Sequence, residues 1–147
     1  MLQDEIWIID DDRDDHELVL EIIAELQIPN KVKFFDGAEP FLKQLQEVPI
    51  APFIILCDVN LPGTDGFQVR EKMLKEANKK YHSVPFIFWS STASERQIEK
   101  AYKLHAHGFF VKETNYNEWK ESFITIIKYW RKSNMPAKVD APDVPLK

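Results

Sequence analysis

Asp10 with Asp11, Asp58, Ser90 and Lys112 each stand directly after a short apolar run, although the four segments are far apart in the chain. Carboxylates held close together repel, and a small hard cation such as Mg2+ relieves that repulsion while accepting oxygen ligands. An ammonium and a hydroxyl beside them would add positive charge and a hydrogen-bond donor. Such a set could hold an anion through a bridging cation, provided the fold brings the segments to one place. The acids are densest at the first point, where Asp10, Asp11, Asp12, Asp14 and Asp15 fall within six consecutive residues. A like-charge group of this kind is usually a solvated loop and less often a cation site.

The elements that must position these residues are legible in the apolar pattern. Runs at 6–9, 32–35, 53–57, 85–89 and 108–111 are continuously apolar and rich in β-branched or aromatic residues, as expected of strands buried on both faces. Between them, Leu18, Ile22 and Leu26, then Phe41, Leu42 and Leu45, then Val69, Met73 and Ala77, then Ile98, Ala101 and Tyr102 follow helical spacing. Ser94 with Gln97 has the pattern of a capping box, and Asn115 with Glu118 marks a second helix start. The last helix is expected over about 115–132, with Trp119, Phe123, Ile126, Ile127 and Trp130 on one stripe.

Strands alternating with amphipathic helices, joined by right-handed crossovers, predict an α/β fold. The expected architecture is a doubly wound five-stranded parallel sheet of flavodoxin-like order 2-1-3-4-5, with helices on both faces. Ligands bind such sheets beyond the carboxyl ends of the strands, where the strand order reverses. Asp10, Asp11, Asp58, Ser90 and Lys112 would all lie on that rim. One domain over 1–132 is expected, followed by an extended tail over 133–147 that contains Pro136, Pro142 and Pro145.

Composition narrows the function classes. With 44% hydrophobic and 29% charged residues and four glycines in 147, the sequence reads as soluble and globular. No apolar run approaches the roughly 18 residues of a membrane span. The first residues are acidic where a signal peptide would be basic, and Cys57 is the lone cysteine, which together suggest the cytoplasm. A formal net charge of -5 without a Lys/Arg cluster argues against direct nucleic-acid binding.

The segments IWIIDDD, IILCDVNLPGTDGF, PFIFWSS and GFFVK resemble, in order and spacing, the four signature segments of response-regulator receiver domains of two-component signalling. The resemblance spans about residues 5–132. Carried over by position, it implies that Asp58 is the phosphoacceptor and that Mg2+ is the cofactor. Asp11, Asp58 and the backbone carbonyl of Asn60 would hold the ion, with Asp10 acting through water. Ser90 resembles the switch hydroxyl, Phe109 the switch aromatic and Lys112 the phosphoryl-binding lysine. Asn60 and Thr92 occupy the positions that tune dephosphorylation; neither is charged, so no strong electrostatic block to an attacking water is expected. The resemblance implies a stand-alone phosphoprotein that takes its phosphoryl group from a sensor histidine kinase or a phosphotransfer protein. It would signal through the face built by helix 4, strand 5 and helix 5. Its only reactions would be self-phosphorylation from a donor and autodephosphorylation.

Glu113 stands where the family usually has proline, so no cis peptide is expected after Lys112. That departure, FVKETNYNEW and the aromatic last helix are most similar to single-domain regulators paired with bacterial phytochrome histidine kinases. In that group the last helix and tail help build a homodimer, which makes Tyr129 and Trp130 candidates for a dimer surface; Trp130 could equally close the core.

Plainer and rival readings accompany each residue. Asp10 and Asp11 could be a solvated strand end, Ser90 a helix-entry turn, Lys112 a surface lysine, Phe109 simple core and Cys57 a small buried hydrophobe. His105 and His107 read as surface residues. Asp10 and Asp12 supply the D-x-D of a haloacid-dehalogenase-type phosphohydrolase, which would leave Asp58 unexplained. Asp10, Asp12, Asp14 and Glu21 fit positions of a calcium loop, but Asp15 stands where that loop needs glycine. A flavin phosphate would be repelled by the acidic first loop. A receiver-like binding module that takes no phosphoryl group is the remaining alternative.

Overall fold

The computed structural model describes residues 4–47, 50–76 and 81–136. Its elements are β1 (Ile6–Ile9), α1 (Arg13–Glu25), β2 (Val32–Phe35), α2 (Ala38–Glu47), β3 (Ile54–Asp58), α3 (Gly66–Glu76), β4 (Phe86–Ser90), α4 (Glu95–Lys103), β5 (Gly108–Val111) and α5 (Tyr116–Lys132). The strands form one sheet in the order β2-β1-β3-β4-β5, with every pair parallel. Fold class and strand order are as the sequence predicts.

Successive residues of a strand point to opposite faces, and the five strands divide their apolar side chains accordingly. Trp7, Ile9, Ile55, Cys57, Phe86 and Phe88 pack with Phe41, Leu45, Val69, Met73 and Ala101, so α2, α3 and α4 cover one face. Ile6, Ile8, Ile54, Leu56, Ile87 and Trp89 pack with Val19, Ile22, Trp119, Phe123, Ile126 and Ile127, so α1 and α5 cover the other. Cys57 is fully buried among hydrophobes, and burial pushes its thiol well up, which suits a packing role and not a reactive one.

The central strands begin and end one residue later than the apolar runs. β3 is Ile54–Asp58 where 53–57 was expected, and β4 is Phe86–Ser90 where 85–89 was expected. Ladder bonds involve only the backbone, so a polar side chain does not end a strand that still has a neighbour. Asp58 pairs with Trp89 and Ser90 with Val111. Two of the chemically interesting residues are therefore fixed by the sheet rather than carried on loops.

Helix starts follow the caps. Asp12 accepts from the Asp14 N–H at the start of α1, Ser94 and Gln97 form a reciprocal capping box at α4, and Asn115 accepts from the N–H groups of Asn117 and Glu118 at α5. Val69 and Met73 are buried as their spacing predicts, whereas Ala77 lies outside the described residues. The tail expected over 133–147 is described only to Pro136; Met135 packs partly against the α1/α5 side of the core, and 137–147 lie outside the described residues.

The α4–β5 corner holds two basic side chains in structural roles. Arg70 is buried, donates from Nε to Leu104 O at 3.0 Å and from Nη2 to His105 O at 2.9 Å, and lies 4.8 Å from the Phe86 ring centroid. It thereby satisfies carbonyls at the end of α4, where a cation is favoured. His105 and the outer edge of His107 are exposed as expected, but the inner edge of the His107 ring is withdrawn from water, where its Nδ1 accepts the Phe86 N–H at 3.0 Å. The ring must be neutral at that nitrogen, and burial followed by the nearby Arg70 charge holds its pKa below the usual 6.5. An unfolded chain then binds this proton more readily than the folded one, so stability is intact above 6.5 and declines as pH falls through it. Melting curves between pH 7.5 and pH 5 should fall less steeply in His107→Asn, whose amide oxygen can accept the same N–H without titrating. Parallel curves would show that His107 is not a source of the slope.

Candidate functional site

The rim beyond the carboxyl ends of β1, β3 and β5 gathers charged side chains around one ammonium. Lys112 Nζ donates to Asp15 Oδ2 at 2.7 Å, to Asp10 Oδ2 at 2.8 Å and to Asp58 Oδ2 at 2.8 Å. Lysine has three N–H donors, and here each meets a carboxylate. The group is withdrawn from solvent, with side-chain exposures of 10% for Lys112, 6% for Asp10, 18% for Asp15 and 8% for Asp58. Lys112 reaches it because its own N–H donates to Ser90 O at 2.7 Å and extends the β4–β5 ladder by one rung. No cis peptide occurs among the described residues, so the Lys112–Glu113 peptide is trans, as the missing proline predicts.

The remaining carboxylate oxygens are held by the backbone. Asp10 Oδ1 accepts from the Asp12 N–H at 2.8 Å and Asp58 Oδ1 from the Asn60 N–H at 3.0 Å. Burial, opposed by Lys112 and the Asp12 N–H, pushes the Asp10 carboxyl up to about 7. Burial also works against the charged form of Lys112, but Asp10, Asp15 and Asp58 outweigh it and hold the ammonium above the ordinary lysine range. The loop after β3 closes tightly over the backbone of Asp58. The Gly66 N–H donates to Val59 O at 2.9 Å, and a Cβ on Gly66 would run into the Asp58 carbonyl oxygen, so this first residue of α3 has to be glycine. Gly63, at φ 76°, makes the preceding turn.

The acids fit a divalent cation. One oxygen each from Asp10, Asp11 and Asp58 lies within 4.8 Å of the others. Oxygens sharing one octahedral Mg2+ shell stand about 3 to 4.2 Å apart, so small side-chain rotations would close the set. Asp10 and Asp58 each have both oxygens engaged by a backbone N–H and by Lys112, so either would exchange a donor for the ion or meet it through water, while Asp11 is exposed at the mouth.

The other expected residues are placed as follows. Ser90 is fully buried at the end of β4, and its Oγ accepts from the Thr92 N–H at 3.3 Å. Thr92 is exposed, with its hydroxyl 3.4 Å from Gln97 Oε1 in the first turn of α4. Phe109 is half-buried against the α2–α4 side of the core, 6.4 Å from the Phe88 ring. Tyr129 is 63% exposed, whereas Trp130 packs on the core edge against His107 and Tyr129. With Tyr102 and Phe109 these rings line a groove of about 540 Å³ on the α4–β5–α5 face.

Three features were not anticipated. Asp15 is a direct partner of Lys112, and its signal was available: Asp15, Val19, Ile22 and Leu26 fall on one helical face, so this acid shares the core-facing stripe. The His16 ring donates from Nε2 to the Asp10 carbonyl and stacks on Phe34 at 4.1 Å, tying the acidic loop to α1 and β2. Trp89, stacked on Trp119 at 4.7 Å, lines a cavity of about 10 Å³ beneath Asp10, Asp15 and Asp58.

Two rival readings lose their geometry. Asp12 spends its carboxylate capping α1, leaving the D-x-D pair without a shared centre. Asp14 and Glu21 lie within the helix Arg13–Glu25, so the segment cannot wrap a calcium ion as a loop. Among the described residues no helix is long and apolar enough to cross a membrane.

Comparison with known proteins agrees with this geometry. A family model described as the response regulator receiver domain matches residues 6–123. Response regulator Rcp1 of Synechocystis sp. is 26% identical over 130 residues, covering 85% of this chain and 87% of the relative. The crystal structure of the phosphorylated cyanobacterial phytochrome response regulator RcpA superposes with a TM-score of 0.82 at 22% identity, covering 92% of this chain and 99% of that one. The Mn2+-bound form of Rcp1 superposes with a TM-score of 0.79 at 22% identity, covering 91% and 99%.

Proposed function

The chain belongs to the response regulator receiver family, whose members are signalling phosphoacceptors served by histidine kinases, and from that premise we propose that Asp58 is the residue phosphorylated here. The observation that carries the proposal is the meeting of Asp10, Asp11 and Asp58 with Lys112 at the strand-order reversal.

In this reading an Asp58 carboxylate oxygen forms the new P–O bond while the P–N bond to the kinase histidine breaks, the imidazole leaving with the electron pair. The product is an acyl phosphate, which water can later hydrolyse, so the mark is temporary. Asp11, Asp58 and the Asn60 carbonyl would hold Mg2+, with Asp10 acting through water. The Mn2+ named for the Rcp1 structure supports a divalent ion at such a site. The ion supplies positive charge to the phosphoryl oxygens, the main requirement of a loose transition state. Lys112 exchanges its hydrogen bond to Asp58 for one to a phosphoryl oxygen, and the Asn60 N–H keeps the Asp58 carboxylate oriented. Autodephosphorylation belongs to the same proposal, with uncharged Asn60 and Thr92 leaving the attacking water unobstructed electrostatically.

Output would run through Ser90. The Ser90 hydroxyl can donate to a phosphoryl oxygen on Asp58, which draws in the loop that Thr92 joins to α4, and Phe109 turns into the space released. Amide exchange with and without beryllofluoride should differ between residues 90 and 112; identical protection would refute the switch. A phytochrome-type kinase as partner extends the proposal by analogy with the phytochrome response regulator RcpA, and a homodimer through Tyr129, Trp130 and the tail extends it from the resemblance of the last helix to the single-domain regulators. The exposure of Tyr129 supports the dimer, and sedimentation of the full chain with beryllofluoride tests it.

The decisive test is incubation with acetyl phosphate and Mg2+ followed by mass mapping. One phosphoryl group on Asp58, lost on chelation of the metal, is expected. Absence of label in metal-replete protein would favour a binding module of the same fold.

A further inference from the structure

Lys112 has one carboxylate partner that the phosphoryl chemistry does not call for. Asp10 and Asp58 are drawn toward the cation and the phosphoryl group, whereas Asp15 stands on α1, behind them. We propose that Asp15 is a positioning residue for Lys112: it anchors the ammonium while the lysine's other two contacts are exchanged during phosphoryl transfer. This inference rests on the reading of Asp58 as phosphoacceptor.

The geometry supports it from both ends. Lys112 carries a long flexible stem, and among the described residues its three carboxylate contacts are what fix where the ammonium stops. During transfer Asp58 must give up its share of the ammonium to bind phosphorus, and Asp10 turns part of its charge to the cation. The Asp15 contact, at 2.7 Å, needs neither change. Asp15 is itself well held: it lies in the first turn of α1, just after the Asp12 cap and in line with the buried Val19 and Ile22. A lysine tethered to a rigid helix is preorganised for the phosphoryl oxygens, and an untethered one loses that orientation. The cost of the arrangement is a further negative charge near the incoming anion, which makes sense only if Lys112 is kept beside it.

The test uses the full chain. In metal-free protein the Lys112 ammonium should give a sharp 15N signal, identified by its absence in Lys112→Met, because three carboxylates protect its protons. In Asp15→Asn these protons should exchange about tenfold faster. With acetyl phosphate and Mg2+, the maximal rate of Asp58 phosphorylation in Asp15→Asn should fall about tenfold, with the half-saturating donor concentration moving less than about twofold. In a Lys112→Met background the same substitution should change the rate by less than about twofold, since an effect transmitted through the lysine disappears with it. A loss in that background equal to the loss in the wild type would show that Asp15 acts structurally or by bulk charge. An unchanged ammonium signal in Asp15→Asn would overturn the proposal outright. If the wild type takes no label at Asp58, the phosphoacceptor reading fails instead, and the ammonium signal, recorded without donor or metal, still decides whether Asp15 holds Lys112.

Discussion

Asp58→Asn should take no phosphoryl label from acetyl phosphate and Mg2+, a fall in acceptor activity of at least about a hundredfold, because an amide oxygen is too weak a nucleophile to replace a carboxylate. The fold should survive the change. Asn60 can still donate to the amide oxygen, Lys112 keeps Asp10 and Asp15, and one of several crowded negative charges is gone. The variant should therefore melt no lower than the parent without metal, while its affinity for Mg2+ falls with the lost ligand. Thermal melting, metal titration and intact mass separate these effects. A label that persists in Asp58→Asn, at Asp10 or Asp11, would place the nucleophile elsewhere in the cluster and overturn the assignment.

Lys112→Met should have the second largest effect, and it divides between stability and chemistry. Removing the ammonium leaves Asp10, Asp15 and Asp58 facing one another with little solvent access. Breaking one side of a buried charge pair commonly costs about 3 kcal/mol, because the orphaned charge stays behind. Two outlets exist for it. Asp10, already pushed up to about 7, can take a proton near neutrality, and a divalent ion can enter the cluster. Mg2+ should thus raise the melting temperature of Lys112→Met by more than it raises that of the parent. The phosphorylation rate should remain low even with the metal restored, by about a hundredfold or more, since a positioned donor to the transferring group has been lost. An equal Mg2+ shift in the two proteins would mean that the acids are not competing for the lysine. A rate restored to the parental value would mean that Lys112 does not touch the phosphoryl group.

Much of this was open to inspection in the residues themselves. A strand buried on both faces cannot alternate, so five continuous apolar runs separated by helical spacings admit few folds, and the parallel sheet follows from them together with the handedness of crossovers. Ser94 and Asn115 betray helix starts because their side chains can satisfy the first N–H groups, a local matter that needs no tertiary information. The strand ends were read one residue short at Asp58 and Ser90, because a polar side chain looks like the end of an apolar run while the ladder continues through the backbone.

What could not be read was which polar groups meet. Asp15 looked like one more acid in a solvated loop until α1 turned it onto the same face as Val19 and Ile22. His107 looked like a surface residue because only the packing of β5 beside β4 brings its Nδ1 to the Phe86 N–H. Arg70 has no carboxylate partner within its own helix to announce it, and it finds carbonyls 34 and 35 positions away.

The elements, their order and the identity of the acids, hydroxyl and lysine at the strand ends follow from the residues alone, because periodicity and capping are written within a few residues of where they act. It takes the folded chain to show that Lys112 is shared by three carboxylates, that one of them is Asp15, and that the loop after Asp58 leaves no room for a side chain at Gly66. The Lys112 contacts join segments separated by 54 to 102 positions, and hydrogen-bond and steric distances of a few ångströms have no local signature from which to be foretold.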